Sequence, residues 1–233
     1  MFSSARDPTI PVGSASPPWF VEVVEQARRG DTSAFDVLYQ HFYTPIRLYL
    51  AHMLGDDEEG DDLAQETFLK AWQRLADLRD GARFTTWLYR IATNTAIDHL
   101  RRRKFRWPCW KQNEEDDLSA SLFVAGPEEQ VGEAEHIQQA LAQVALKYRS
   151  CLLLQLVANL SQREIAGLLN ISEKSVSIYV SRGCEQFRLA YQRLAQASNR
   201  SVKEEERANG THDRLDTYAL YRLGREAYGQ SPG

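Results

Sequence analysis

The stretch LSQREIAGLLNISEKSVSIYVSRGCEQFR, Leu160 to Arg188, decides how the second half of this chain folds. Ser161 and Glu164 stand at the S-x-x-E spacing of a capping box, and Ile165, Ala166, Leu168 and Leu169 give the short helix behind it an apolar face. Asn170 falls where the chain must turn with positive φ, which Asn, after Gly, adopts at little cost. Ile171 plugs the turn into the core, and Ser172 is placed to cap a second helix. On that helix Val176, Tyr179, Val180, Gly183 and Phe187 face inward. Ser172 at its start, with Glu173, Lys174, Ser175, Ser177, Ile178 and Arg182, faces outward. This is the spacing of a helix-turn-helix, whose second helix enters a major groove with its N-terminal residues at base edges and its positive dipole end near a phosphate. A plain helical hairpin in a bundle is the competing reading. It does not require small Ala166, turn Asn170, plug Ile171 and inward Val176 to occur together.

Upstream of the motif, Ile137, Ala140, Leu141 and Val144 mark one helix and Tyr148 to Val157 another, so a second helical domain spans 134–196. The stretch 107–133 carries Pro108, Gly126, Pro127, Gly132 and the acidic run Glu114 to Asp117, and reads as a flexible linker. Before it, residues 19–106 form a first helical domain. Phe20, Val23, Val24 and Ala27 recur at helical spacing, and Asp31 is a plausible N-cap for a helix carrying Phe35, Leu38, Tyr39, Phe42 and Tyr43. After the acidic stretch Asp56 to Asp62 comes an amphipathic helix with Leu63, Phe68, Leu69, Trp72 and Leu75 on or near one stripe. Arg83 to Arg103 is a further long helical segment. No alternating period occurs, so the expected fold is all-α: two small helical domains joined by a linker, the second a helix-turn-helix domain. Residues 1–18, rich in Ser and Pro, read as a disordered leader, and 197–233 as a C-terminal extension with a short helix at 214–228.

The formal net charge of −4 excludes a coat that binds nucleic acid by global positive charge, so DNA binding must use local basic patches. Cys109, Cys151 and Cys184 lack metal-ligand spacing and form no disulfide framework, and the expectation is no metal and no cofactor. No leader with a basic start and apolar middle and no long apolar run is present, which points to the cytoplasm without membrane insertion. An enzyme is disfavoured. His41, His52, His99, His136 and His212 are dispersed, and there is no glycine-rich phosphate loop or nucleophile elbow.

In FTTWLYRIATNTAIDHLRRRKFR, Phe84, Trp87 and Tyr89 precede Arg101, Arg102, Arg103, Lys104 and Arg106. Aromatic rings stack on unpaired bases while arginines track phosphate, a combination suited to single-stranded or melting DNA. Trp87 is equally accounted for as a core residue. Three strings taken in order, DDLAQETFLKAW at Asp61 to Trp72, FTTWLYRIATNTAIDHLRRR at Phe84 to Arg103, and the helix-turn-helix, closely resemble the bacterial RNA polymerase sigma factors. The resemblance is to their compact extracytoplasmic function (ECF) group and covers about Val21 to Leu194. It implies that Asp61, Asp62, Gln65, Glu66 and Phe68 bind the clamp helices of the polymerase largest subunit. It further implies that Thr93, Asn94 and Asp98 contact bases of the melted -10 element, with Arg101 and Arg102 on its backbone, and that the helix-turn-helix reads the -35 duplex.

Relatives of this kind are often held inactive by an anti-sigma factor wedged between the two domains, and an acidic linker permits such a partner. Two features concern strength and control. Ser177, Ile178 and Cys184 stand where many relatives carry basic residues, which implies either weaker -35 phosphate contact or an unusual promoter sequence. The acidic residues before DDLAQETF are complete, so no phosphorylation has to supply charge there. The expected function is therefore a sigma factor that binds core polymerase and promoter DNA without catalysis of its own. The alternative is a helix-turn-helix regulator acting as a dimer without polymerase, which would need a ligand pocket or receiver domain where the aromatic and basic first domain stands.

Overall fold

The computed structural model describes residues 17–103 and 132–205. The expected leader, most of the expected linker and the short helix at 214–228 lie outside the described residues. Among the described residues there are helices and no strand. The first half holds α1 (Pro18–Arg28), α2 (Thr32–Leu54), α3 (Asp57–Arg74) and α4 (Phe84–Arg103), with 3-10 turns at Leu75–Asp77 and Gly81–Arg83. The second holds α5 (Glu133–Ala142), α6 (Leu146–Leu156), α7 (Gln162–Leu169) and α8 (Glu173–Glu205).

Local chemistry sets the ends of these helices. Asp31 caps α2 by accepting from the amides of Ser33 (2.9 Å) and Ala34 (3.2 Å), and α2 ends at Gly55 in the left-handed region (φ 76°). Pro45, buried inside α2, removes one amide from its ladder without ending it. The acidic stretch does not precede α3 as the sequence reading had it. Asp56 caps the helix through the Glu59 amide (2.9 Å), and Asp57, Glu58 and Glu59 occupy the first turn, where negative side chains face the positive end of the dipole. α2 and α3 form an antiparallel pair so close at one point that a Cβ on Gly60 would lie 2.7 Å from the Ala51 backbone.

The first-half core is aromatic. Phe20, Phe42 and Phe84 meet with ring centroids 5.5–6.1 Å apart, beside Leu38, Ile46 and Leu88. The second-half core is aliphatic around Leu141, Leu152, Leu153, Ile165 and Val176, closed by Phe187 and Tyr191. The halves are not separate bodies here. The end of α2 packs on α5 and α6, and α4 packs on α7, so the buried residues make one continuous cluster.

Arg149 ties the first of these seams. Its guanidinium donates to the carbonyls of Met53 (2.9 Å), Ala142 (2.8 Å) and Val144 (2.9 Å), and the neighbouring Ser150 hydroxyl reaches the Met53 sulfur (3.5 Å). Met53 and Ala142 lie at the ends of α2 and α5, where carbonyls lack helical partners. Burial lowers the Arg149 pKa to about 10, and the partly negative C-terminal ends of two helices face the cation where a carboxylate could otherwise stand. At the second seam Arg90 donates to the Gly167 carbonyl (2.9 Å) and the Thr86 hydroxyl to Glu164 (3.3 Å).

Candidate nucleic-acid interface

The helix-turn-helix is α7, a three-residue turn and the start of α8. Ser161 and Glu164 form the full capping box: the Glu164 amide donates to Ser161 Oγ (3.3 Å), and the Ser161 amide to Glu164 Oε2 (2.9 Å). Asn170 takes the left-handed conformation (φ 57°, ψ 47°), and the Ile171 amide closes the turn on the Ala166 carbonyl (3.0 Å). Ser172 accepts from the Ser175 amide (3.0 Å), and the two hydroxyls bond to each other (2.8 Å). Val176, Gly183 and Phe187 are buried; a Cβ on Gly183 would lie 3.1 Å from the Tyr148 carbonyl, so α8 rides close over α6.

Of the residues expected to face DNA, Glu173, Lys174, Ser177 and Arg182 are exposed, with Ile178 beside them at 40% exposure. Ser172 and Ser175 serve the cap. Arg182 reaches back to donate to the Tyr148 hydroxyl (3.1 Å), and Lys147 stands over the same ring (5.1 Å). The tyrosine thereby fixes one cation at the foot of the exposed face.

α4 presents a second exposed stripe. Arg90, Asn94, Asp98 and Arg101 are exposed and follow each other at intervals of four and three on one helical face, with Arg102 beside them and Trp87, half-buried against the core, three residues before Arg90. Asp98 and Arg101 approach to 3.8 Å. Three residues expected on this surface lie beneath it. Phe84 and Tyr89 are fully buried, Tyr89 edge-on to Tyr49 (5.4 Å), and Thr93 accepts from the Tyr49 hydroxyl (2.7 Å) while donating to the Tyr89 carbonyl (2.7 Å). In a segment rich in aromatics, i to i+4 spacing alone does not say which ring faces in; the α2 tyrosine opposite settles it. Arg90, which the sequence reading passed over, occupies the stripe.

α3 carries the third surface. Asp62 and Gln65 are exposed, whereas Asp61 accepts from the Tyr43 hydroxyl (2.6 Å) and Glu66 pairs with Lys70 (2.7 Å). The bond to Asp61 holds the Tyr43 proton, raising its pKa to about 12. Phe68 is buried against Tyr39 (4.8 Å) and Phe35 (6.4 Å) and reaches the surface only as part of the lining of a groove on this face. The apolar exposure belongs instead to Leu69, at 58%, on a groove of about 430 Å³ with Phe35, Tyr39, Gln65 and Trp72. Leu69 and Trp72 were legible as members of the α3 stripe, but their position at its solvent edge was not. A cleft of about 830 Å³ lies between the start of α4 and α7, lined by Arg79, Arg83, Trp87, Arg90 and Arg163 among others. Among the described residues there is no cluster fit for a metal ion and no helix long and apolar enough to cross a membrane.

Residues 38–106 match the family described as Sigma-70 region 2, and residues 134–187 that described as Sigma-70, region 4. The chain is 33% identical over 173 residues to the ECF RNA polymerase sigma factor SigW of Bacillus subtilis, covering 71% of this chain and 92% of that protein. It is 32% identical over 184 residues to the RNA polymerase sigma-H factor of Pseudomonas aeruginosa, covering 74% and 94%. Two solved structures share the fold, each with a TM-score of 0.54. One is CnrH in complex with the cytosolic domain of CnrY (23% identity, 76% of this chain and 97% of that one). The other is the sigma factor RpoE with the anti-sigma factor NepR from Bartonella quintana (19% identity, 68% and 96%). With both regions present in order, and near full-length relatives at this identity, the chain belongs to the sigma-70 family of RNA polymerase sigma factors, in its ECF group.

Proposed function

We propose that this chain binds core RNA polymerase, positions it on a promoter by reading -35 duplex through α8, and captures melted -10 DNA along the exposed stripe of α4. The observation that carries the reading is the coexistence, in one chain, of a capped helix-turn-helix and an exposed Arg90–Arg101 stripe on a separate helix. Duplex readout supplies position, and contacts to unstacked bases offset a melting cost of a few kcal/mol per step. On this reading Asn94 and Asp98 contact base edges and Arg101 and Arg102 the backbone, with the half-buried Trp87 as the stacking candidate at the start of the stripe. Polymerase docks on the α3 surface through Asp62 and Gln65, with Leu69 and Trp72 as the apolar anchor beside them. No chemistry is required of the protein, and its place of action is the cytoplasm, where polymerase and promoter are.

An anti-sigma factor is the expected negative regulator, as the complex of RpoE with the anti-sigma factor NepR illustrates for that protein. Purified chain should bind core polymerase and direct run-off transcription from a subset of promoters selected from genomic fragments. Failure to bind core in a pull-down, with duplex binding retained, would instead favour a regulator working without polymerase.

A further inference from the structure

Two cations gather on one tyrosine at the foot of the outward face of α8. Tyr148, at the start of α6, meets Tyr179 of α8 edge to face (5.4 Å), and the Lys147 ammonium lies over both rings (5.1 and 6.0 Å). Arg182 donates to the Tyr148 hydroxyl (3.1 Å), its guanidinium 6.0 Å from the same ring centre. Tyr148 is buried, Lys147 and Tyr179 are half-buried, and Arg182 is exposed. Like charges around one ring repel, which the ring faces offset only in part. Among the described residues Lys147 makes no ion pair, and none accepts the Tyr148 hydroxyl proton. An ammonium and a phenolic O–H are both donors, and together they suit an anion. The position of the cluster says which anion. Arg182 follows Lys174 and Ile178 at intervals of four, so the cluster continues the surface that is to enter the major groove. Residues at the N-terminal end of such a helix take base edges, and donors behind them meet the backbone. At that end Glu173 offsets Lys174, and Ser177 and Ile178 are uncharged, so α8 itself brings little charge to a phosphate.

We propose that Lys147, which lies outside the helix-turn-helix, is a DNA-binding residue: its ammonium and the Tyr148 hydroxyl hold one backbone phosphate of the duplex beside the -35 element. Arg182 occupies a lone pair of that hydroxyl and leaves its proton for the phosphate. Tyr179 is a positioning residue, since the lysine stem laid on the ring pair has less rotamer freedom to lose on binding. The inference deepens the proposed -35 reading and rests on it. It moves a phosphate contact from the recognition helix to the helix that packs behind it.

The test uses holoenzyme assembled from core polymerase and the full chain, on a promoter fragment recovered by run-off selection. Lys147→Met keeps an apolar stem on the rings and removes the charge. It should lower the salt slope of promoter binding by about one and weaken binding about tenfold at roughly 0.1 M salt. Core affinity and the preference among -35 sequences should stay as in the parent. Lys147→Arg should restore the slope; Lys147→Gln should behave as Lys147→Met does, and decides if melting curves show the methionine variant unfolded. Ethylation of one phosphate beside the -35 element should weaken binding of the parent and leave Lys147→Met indifferent, which a packing role would not produce. An unchanged slope in a folded variant, or the same ethylation pattern in variant and parent, overturns the proposal while the -35 reading stands. Parent holoenzyme whose binding ignores the -35 sequence overturns that reading, and the proposal with it.

Discussion

Gly60 shows how one missing side chain fixes the spacing of two helices. With Ala51 backbone 2.7 Å from where its Cβ would be, Gly60→Ala must push α2 and α3 apart and should destabilise the protein by about 1–3 kcal/mol, read as a lower urea midpoint at unchanged slope. An unaltered midpoint would mean that the helix pair has slack. His52 acts through charge. Burial lowers its pKa from 6.5 to about 4, and its Nδ1 is enclosed without a partner. A base with a depressed folded pKa is protonated more readily when unfolded, so its neutral-state stability is complete above pH 6.5 and is lost as pH falls from 6.5 towards 4. His52→Leu should flatten the drop in urea midpoint between pH 7 and 5, though His41, also lowered by burial, will leave a remainder. Neither residue was legible beforehand: a glycine in an acidic run and a dispersed histidine look alike until the packing around them is known.

Among the elements, the helix-turn-helix was readable nearly to the residue, because its constraints are local. A capping box, a left-handed Asn and a serine cap each satisfy backbone groups within three or four residues. Ser161→Ala should therefore cost about 1 kcal/mol of stability. Arg182→Ala should reduce the salt slope of duplex binding by about one, if the arginine swings from Tyr148 to phosphate; equal slopes would leave it as a structural partner of the ring. α4 was harder. Its aromatics face both the core and the solvent, and only long-range contacts, Tyr49 to Tyr89 and Thr93, separate the two sets. Asn94→Ala should leave duplex affinity intact and lower permanganate reactivity of start-site thymines in the presence of polymerase. Equal reactivity would remove Asn94 from the strand-capturing stripe. The α3 surface was the least legible, since a residue on the boundary of an apolar stripe, such as Leu69 or Phe68, goes either way by periodicity.

At the scale of the molecule, the division into two helical units followed from composition, but their mutual packing did not, because no local pattern announces a carbonyl cluster waiting for a guanidinium 96 residues away. Arg149→Met should leave the Met53, Ala142 and Val144 carbonyls unpaired and cost about 2 kcal/mol or more, while lowering the temperature at which the halves come apart in small-angle scattering. Scattering and melting profiles like those of the parent would show the seam to be held by apolar contact alone. The second seam bears on promoter reading, because α7 lies against Thr86 and Arg90 at the start of the stripe that is to hold a melted strand. The same long reach of Arg149 has a consequence in time. During synthesis the end of α2 leaves the ribosome well before its partner does; at roughly 5–20 residues per second, those 96 residues take about 5–20 s. Throughout that interval the Met53 carbonyl and its apolar surroundings stand uncovered, so a nascent first half is the form of this protein with most to gain from a chaperone.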